Sequence, residues 1–325
     1  MRRRAFSLLA GGLFAAGPLG ARAQAPDAPI IGVLLAGTTT NYYSIDQLRA
    51  VLREAGFRDG DNIALQVRAA DGHYERLPGL ANELVALPAR VIVAFALPAA
   101  LAAKAATQTI PIVFTSGADP VAFGLVPSLS RPGGNLTGFS NYFGSLGAKR
   151  LEPLRELVPT AGVVGILVNP SNANAAEHTE GLRAAARALG QPISVAQADS
   201  DAEIEAAFAA FARERVGALL ISDDPAYIAK AKLLVGLVAR YAIPTIYHAS
   251  EFTAAGGLIS YGARISDGVR VVGSYVARIL RGARPGDLPV QQPDKFYLAV
   301  NIRTARSLNL VVPPAILARA DEVIE

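Results

Sequence analysis

From Pro29 onward, short runs of β-branched and aliphatic residues alternate with longer amphipathic stretches, and this rhythm limits the possible folds more than any other feature. IIGVLL at 30–35 reads as a strand that is apolar on both faces. IDQLRAVLREAG at 45–56 reads as a helix with Ile45, Leu48, Leu52 and Ala55 on one face and Gly56 as its left-handed terminator. Strand 63–67, helix 76–87, strand 91–95, helix 98–107 and strands 111–115 and 135–139 follow. Continuously apolar strands must be covered on both faces, which a parallel sheet flanked by crossover helices achieves.

The rhythm restarts after Phe143. Helix 146–157, strand 163–168, helix 174–189, strand 193–197, helix 201–214, strand 217–222, helix 226–241 and strand 244–249 describe a second sheet of the same kind. Strand 258–262, helix 267–281, the Pro/Gly-rich stretch 282–289 and strand 296–301 exceed what that second sheet needs. Sharing them between the two halves predicts an α/β fold of two doubly wound parallel-sheet lobes, with a ligand cleft where the carboxyl ends of the strands face each other.

Composition narrows the function. At 325 residues the chain is long enough for about two domains, and it has no Cys, which excludes disulfides, Cys-ligated metal centres, thiol nucleophiles and an acylated lipoprotein cysteine. Residues 1–25 read as a cleavable secretory signal. MRRR is its positive region, AFSLLAGGLFAAGPLG its apolar stretch, and ARAQA offers small-x-small cleavage sites after Ala23 or Ala25. Arg3-Arg4-Ala5-Phe6 also resembles a twin-arginine export motif. The expected location is the periplasm. Without Arg2, Arg3, Arg4 and Arg22, Lys+Arg fall from 31 to equality with the 27 acidic residues, so no global charge favours nucleic acid or an anionic membrane.

Loops that follow strands are the places for chemistry. AGTTTNYYS at 36–44 offers Thr39, Thr40, Asn41, Tyr42 and Tyr43 as ligand contacts; the same Thr and Asn can instead cap the next helix. Ala96 and Leu97 stand at the rim after another strand, and Ser116 and Asp119 follow the next, where Asp119 can equally organise a turn. In the second half, Asn169 and the SDDPAY segment, with Asp223, Asp224 and Tyr227, occupy corresponding places. An aspartate there can receive a ligand ammonium or cap a helix. Tyr247, His248 and Glu251 carry a similar ambiguity. No GxGxxG, GxxxxGK[ST] or GxSxG pattern occurs at these turns, and His73, His178 and His248 form no metal-ligand spacing, so no cofactor, metal or catalytic set is expected.

An ordered set of stretches carries a family resemblance: GFRDGDNI (56–63), TIPIVF (109–114), Asp119-Pro120, RPGGNLTG (131–138), KRLE (149–152), AGGLISYG (255–262) and LARADEVIE (317–325). Over residues 29–325 the chain resembles ABC-transporter substrate-binding proteins related to the tryptophan/tyrosine-binding lipoproteins, a branch of the type I periplasmic binding-protein architecture. The resemblance implies one lobe of 29–141 plus 262–290 and a second of 142–261 plus 291–325. It also implies ligand positions at Thr39–Tyr43, Ala96–Leu97, Ser116–Asp119, Asn141–Tyr142, Asn169 and Asp224. The missing lipobox cysteine departs from the lipoprotein members and suits a freely diffusing receptor.

The implied role is a monomeric solute receptor that closes two lobes around a small molecule and delivers it to an ABC permease driven by a separate ATPase, with no chemical step. Tyr42, Tyr43, Tyr142 and Tyr227 suit an aromatic or branched amino acid or an aromatic acid, and such rings also close over a small aliphatic solute. A periplasmic sensor reporting to a membrane partner is the alternative from another class, and an enzyme on two α/β lobes is the second.

Overall fold

The apolar runs pair into two sheets. In a computed structural model of the chain, residues 28–39, 45–142 and 146–325 are described; the expected signal segment 1–25 lies outside them. The first sheet is built from β1 (Ile30–Leu35), β2 (Ala64–Ala69), β3 (Ala89–Phe95), β4 (Ile112–Ser116) and β5 (Leu136–Ser140). Its order is β2-β1-β3-β4-β5, parallel throughout. The helices α1 (Ile45–Glu54), α2 (Leu77–Val85) and α3 (Leu97–Ala106) link successive strands.

After α4 (Leu146–Leu157), the second half runs β6 (Val164–Val168), α5 (Ala175–Ala188), β7 (Ile193–Gln197), α6 (Asp201–Arg213), β8 (Ala218–Ile221), α7 (Pro225–Ala229), α8 (Ala231–Tyr241), β9 (Thr245–Tyr247), α9 (Ser250–Ala254) and β10 (Ile259–Gly262). It then passes through α10 (Ile265–Leu280) to β11 (Tyr297–Asn301), α11 (Ile302–Ser307), α12 (Pro314–Arg319) and β12 (Glu322–Ile324). The sheet order is β12-β11-β10-β9-β8-β6-β7.

This second sheet is mixed, not wholly parallel, because β11 runs antiparallel to β10. The chain leaves β10 at the end facing the first lobe, forms α10 against that lobe, and re-enters from the same side, so β11 must run the other way. The α10 helix contributes Val269, Val272 and Val276 to the core of the first sheet. It lies so close to α1 that a β-carbon at Gly273 would stand 2.5 Å from Val51 Cγ1. The continuous helix expected over 226–241 is in fact two, broken at Lys230, whose φ of −96° and ψ of 18° leave helical geometry. The short first piece aims its capped N-terminus at the cleft, while α8 packs on α6.

Candidate functional site

The loops beyond β2 and β4 of one lobe meet those beyond β6 and β8 of the other. Gly117 faces Asp223, to the point that a β-carbon at Gly117 would lie 3.5 Å from Asp223 Oδ2. Beside this contact a cavity of about 670 Å³ runs between α4 and α5, bordered by Ala118, Tyr142, Arg150, Asn174, Glu177 and His178 among others.

Arg150 dominates its electrostatics. Leu146, Leu154 and Leu157 form the buried stripe of α4, and Arg150 occupies a place in that stripe with 2 % exposure. Its Nε donates to Tyr261 O at 2.9 Å, the one hydrogen bond it shows among the described residues. Its Nη2 lies 3.8 Å from Asp223 Oδ2. Burial lowers the guanidinium pKa and Asp223 opposes that shift, but an arginine remains charged in a protein. A cation this poorly paired in a low dielectric is costly unless an anion joins it.

Two histidines flank the pair. His248 Nε2 is 3.3 Å from Asp223 Oδ1, yet among the described residues neither ring nitrogen has a hydrogen-bonding geometry to a partner. Burial lowers the His248 and His178 pKa values to about 4, and the nearby Arg150 charge adds to the shift in both while Asp223 opposes it. Both rings are therefore neutral at pH 7. At the outer wall, Tyr142 Oη donates to Glu177 Oε1 at 3.0 Å, and desolvation followed by the Glu177 contact raises its pKa to about 12. The site thus offers one buried cation, carboxylates at Asp223 and Glu177, and an aromatic edge.

The residues expected from sequence divide around this cavity. Tyr142 borders it, and Asn141 lines the small adjoining recess with Arg150, Asp223 and His248. Ala96 and Leu97 are buried at the start of α3, with the Ala96 N–H donating to Thr115 Oγ1 at 2.9 Å. Ser116 Oγ is spent on the backbone of Ala118, and Asp119 Oδ1 accepts from the N–H groups of Val121 and Ala122, so that carboxylate organises a turn. Thr39 is exposed; Thr40, Asn41, Tyr42 and Tyr43 lie outside the described residues.

Asp224 points inward. It caps α7, accepting from the Ala226 and Tyr227 N–H groups, and also accepts from Asn169 Nδ2 at 3.0 Å and Asn172 Nδ2 at 2.7 Å. Burial raises its pKa against the lowering effect of those donors. The Asn169 side chain is likewise occupied, its Oδ1 accepting from Ser171 N. Tyr227 is fully buried and donates to Ala198 O at 2.7 Å, while Tyr247 stacks on Phe252 with ring centroids 4.5 Å apart. Both rings belong to the packing of the second lobe and do not line the cavity. Arg150, Asn174, Glu177 and His178 were not singled out from sequence as contacts. The available signal was an arginine inside the leucine stripe of a predicted amphipathic helix.

Comparison with known proteins agrees with this architecture. The tyrosine-binding protein of Clostridioides difficile (strain R20291) is 27 % identical over 259 residues, which is 80 % of this chain and 74 % of that protein. A solved conserved domain protein from Vibrio cholerae is 28 % identical with a TM-score of 0.83, covering 91 % of this chain and 99 % of that one. An ABC domain from Streptococcus pneumonia in complex with L-Trp has a TM-score of 0.81 at 24 % identity, with the same coverages, and supports the fold. Residues 39–324 match the family described as ABC transporter substrate binding protein. That match runs through both lobes and every crossing between them, and the chain accordingly belongs to the ABC transporter substrate-binding protein family.

Proposed function

We propose that the protein is the periplasmic solute receptor of an ABC importer, capturing an amino acid or an aromatic carboxylic acid between its lobes and handing it unchanged to a permease served by a separate ATPase. The jaws of this reading are residues 29–141 with 262–290 and residues 142–261 with 291–325. The observation that carries it is the buried, under-paired Arg150 guanidinium bordering the inter-lobe cavity. A ligand carboxylate completes its hydrogen bonding through the paired N–H geometry that arginine offers. Asp223 and Glu177 provide acceptors for an ammonium, and Tyr142 supplies an aromatic edge. The similarity to a tyrosine-binding protein supports an aromatic amino acid as the first ligand to try. Export follows from the N-terminal segment, and cell fractionation with N-terminal sequencing of the mature chain tests it.

Native mass spectrometry of the purified protein, followed by calorimetric titration with amino acids and aromatic acids, tests the ligand class. One carboxylate-bearing ligand per chain, recovered chemically intact, is the expected result. Arg150→Gln is expected to weaken its binding at least 100-fold with the circular dichroism spectrum retained, in line with the loss of a buried charge partner. A tight ligand without a carboxylate, or an unaltered affinity in Arg150→Gln, overturns the assignment; turnover of the ligand overturns the receptor role.

A further inference from the structure

The strand orders define which side of the cleft is hinged. The chain crosses between lobes after β5, after β10 and before β11, which stand together on one side. At the opposite edge of the first sheet lies β2, and on the opposite side of the second lie β8, β6 and β7. Residues that follow β2 therefore meet residues that follow β8 and β6 at the free lip of the jaw, away from the crossings.

At that lip, Tyr74 reaches across. Its Oη donates to Asp224 Oδ1 at 3.0 Å and accepts from the Ala226 N–H at 3.3 Å. Asp224 is held rigid for this contact by the Asn169 and Asn172 amides and by its capping bonds to α7. Gly72, with φ of 86°, seats the same turn against the start of α7, where an added β-carbon would stand 3.1 Å from Ala226 Cβ. Burial pushes the Tyr74 phenol well above its usual range, and Asp224 pushes it further, so the hydroxyl remains a donor at ordinary pH. Tyr74 does not border the Arg150 cavity.

We propose that Tyr74 is a latch residue: its bond to the amide-braced Asp224 closes the free lip with the protein's own groups, so that the lobes meet there without any ligand. This inference rests on the reading that the protein works by closing two lobes, but it requires no particular ligand. Closure then has two separable supports, the ligand bridging the cavity and the latch at the lip. The apparent affinity depends on both, because it scales with the fraction of molecules in the closed, competent state.

The test is made on ligand-free protein. The natural chain has no cysteine, so a pair at the exposed positions His73→Cys and Lys232→Cys, on the two sides of the lip, reports closure through its rate of cross-linking by a bis-maleimide, each of whose two double bonds adds one thiol. The pair is expected to cross-link readily, and adding Tyr74→Phe is expected to slow it at least ten-fold, equivalent to about 1.4 kcal/mol of closed-state stability. Small-angle scattering of the single variant Tyr74→Phe, which keeps the ring and the folded spectrum, is expected to show a larger radius of gyration than the natural protein. That measurement stands alone if the cysteine pair fails to fold. An unchanged radius of gyration in Tyr74→Phe overturns the latch, as does an unchanged cross-linking rate. Either result leaves the Arg150 carboxylate assignment intact, while failure of all carboxylate ligands to bind leaves the latch measurement valid.

Discussion

Ala96 holds φ of 76° and ψ of 158°, a backbone region open to glycine and costly for any residue with a β-carbon. It sits where β3 turns into α3, at the rim that sequence reasoning singled out. Ala96→Gly is expected to stabilise the protein by about 1 kcal/mol, or roughly 2–4 °C in Tm. A lower Tm in thermal unfolding would mean that the lost methyl packing outweighs the strain. The paired aspartates show why residue-level roles were only half legible. In extended backbone, successive side chains point to opposite sides, and Asp224 is extended at φ of −153° and ψ of 130°. One carboxylate of Asp223-Asp224 must therefore face the cavity and the other the cap, but the sequence does not say which. Arg150 is the opposite case: four positions along α4 from Leu146 and four before Leu154, its burial could be read from spacing alone.

At the scale of elements, the strands of the first lobe and most helices could be read from periodicity because each is locally encoded. The start of α6 is an example, with Ser200 and Glu203 forming a reciprocal capping box. What periodicity left out is set by partners distant in sequence. The direction of β11 depends on where α10 leaves the chain, and β12 is a three-residue strand that exists only by pairing with β11. Close strand packing gives a sharp prediction at this scale. A β-carbon at Gly138 on β5 would stand 2.0 Å from Phe114 O on β4. Gly138→Ala is expected to lower stability by about 3 kcal/mol or more, since backbone rather than a pliable side chain must yield. Urea unfolding measures it, and an unchanged midpoint would show that β5 can move away from β4 at little cost.

For the whole molecule, the two-lobe plan was legible because the βα rhythm restarts, whereas the lobes' mutual contact was not, since Tyr74 and Asp224 are 150 positions apart and leave no local pattern. The junction carries a pH dependence. His248 is held neutral with its pKa lowered to about 4, so below pH 6.5 the unfolded chain takes up a proton that the folded state refuses. Stability from this group is full above about pH 6.5 and declines as pH falls toward 4, by of the order of 2 kcal/mol between pH 7 and pH 5. His178 has the same sign. Asp224 and Glu251, both raised by burial, act in the opposite direction, so the histidine contribution is isolated by comparing the natural protein with His248→Gln. The variant is expected to lose less stability on acidification, and parallel pH profiles would remove the histidine from the account.

The docking of α10 on α1 also bears on how the chain comes into being. Segment 265–280 covers an element that begins at Ile45, so the first lobe cannot complete its core when its own strands have been synthesised. At 5–20 residues per second, the ribosome needs on the order of ten seconds more to supply the missing helix. Throughout that interval the apolar stripe that α10 covers has no partner within the nascent chain.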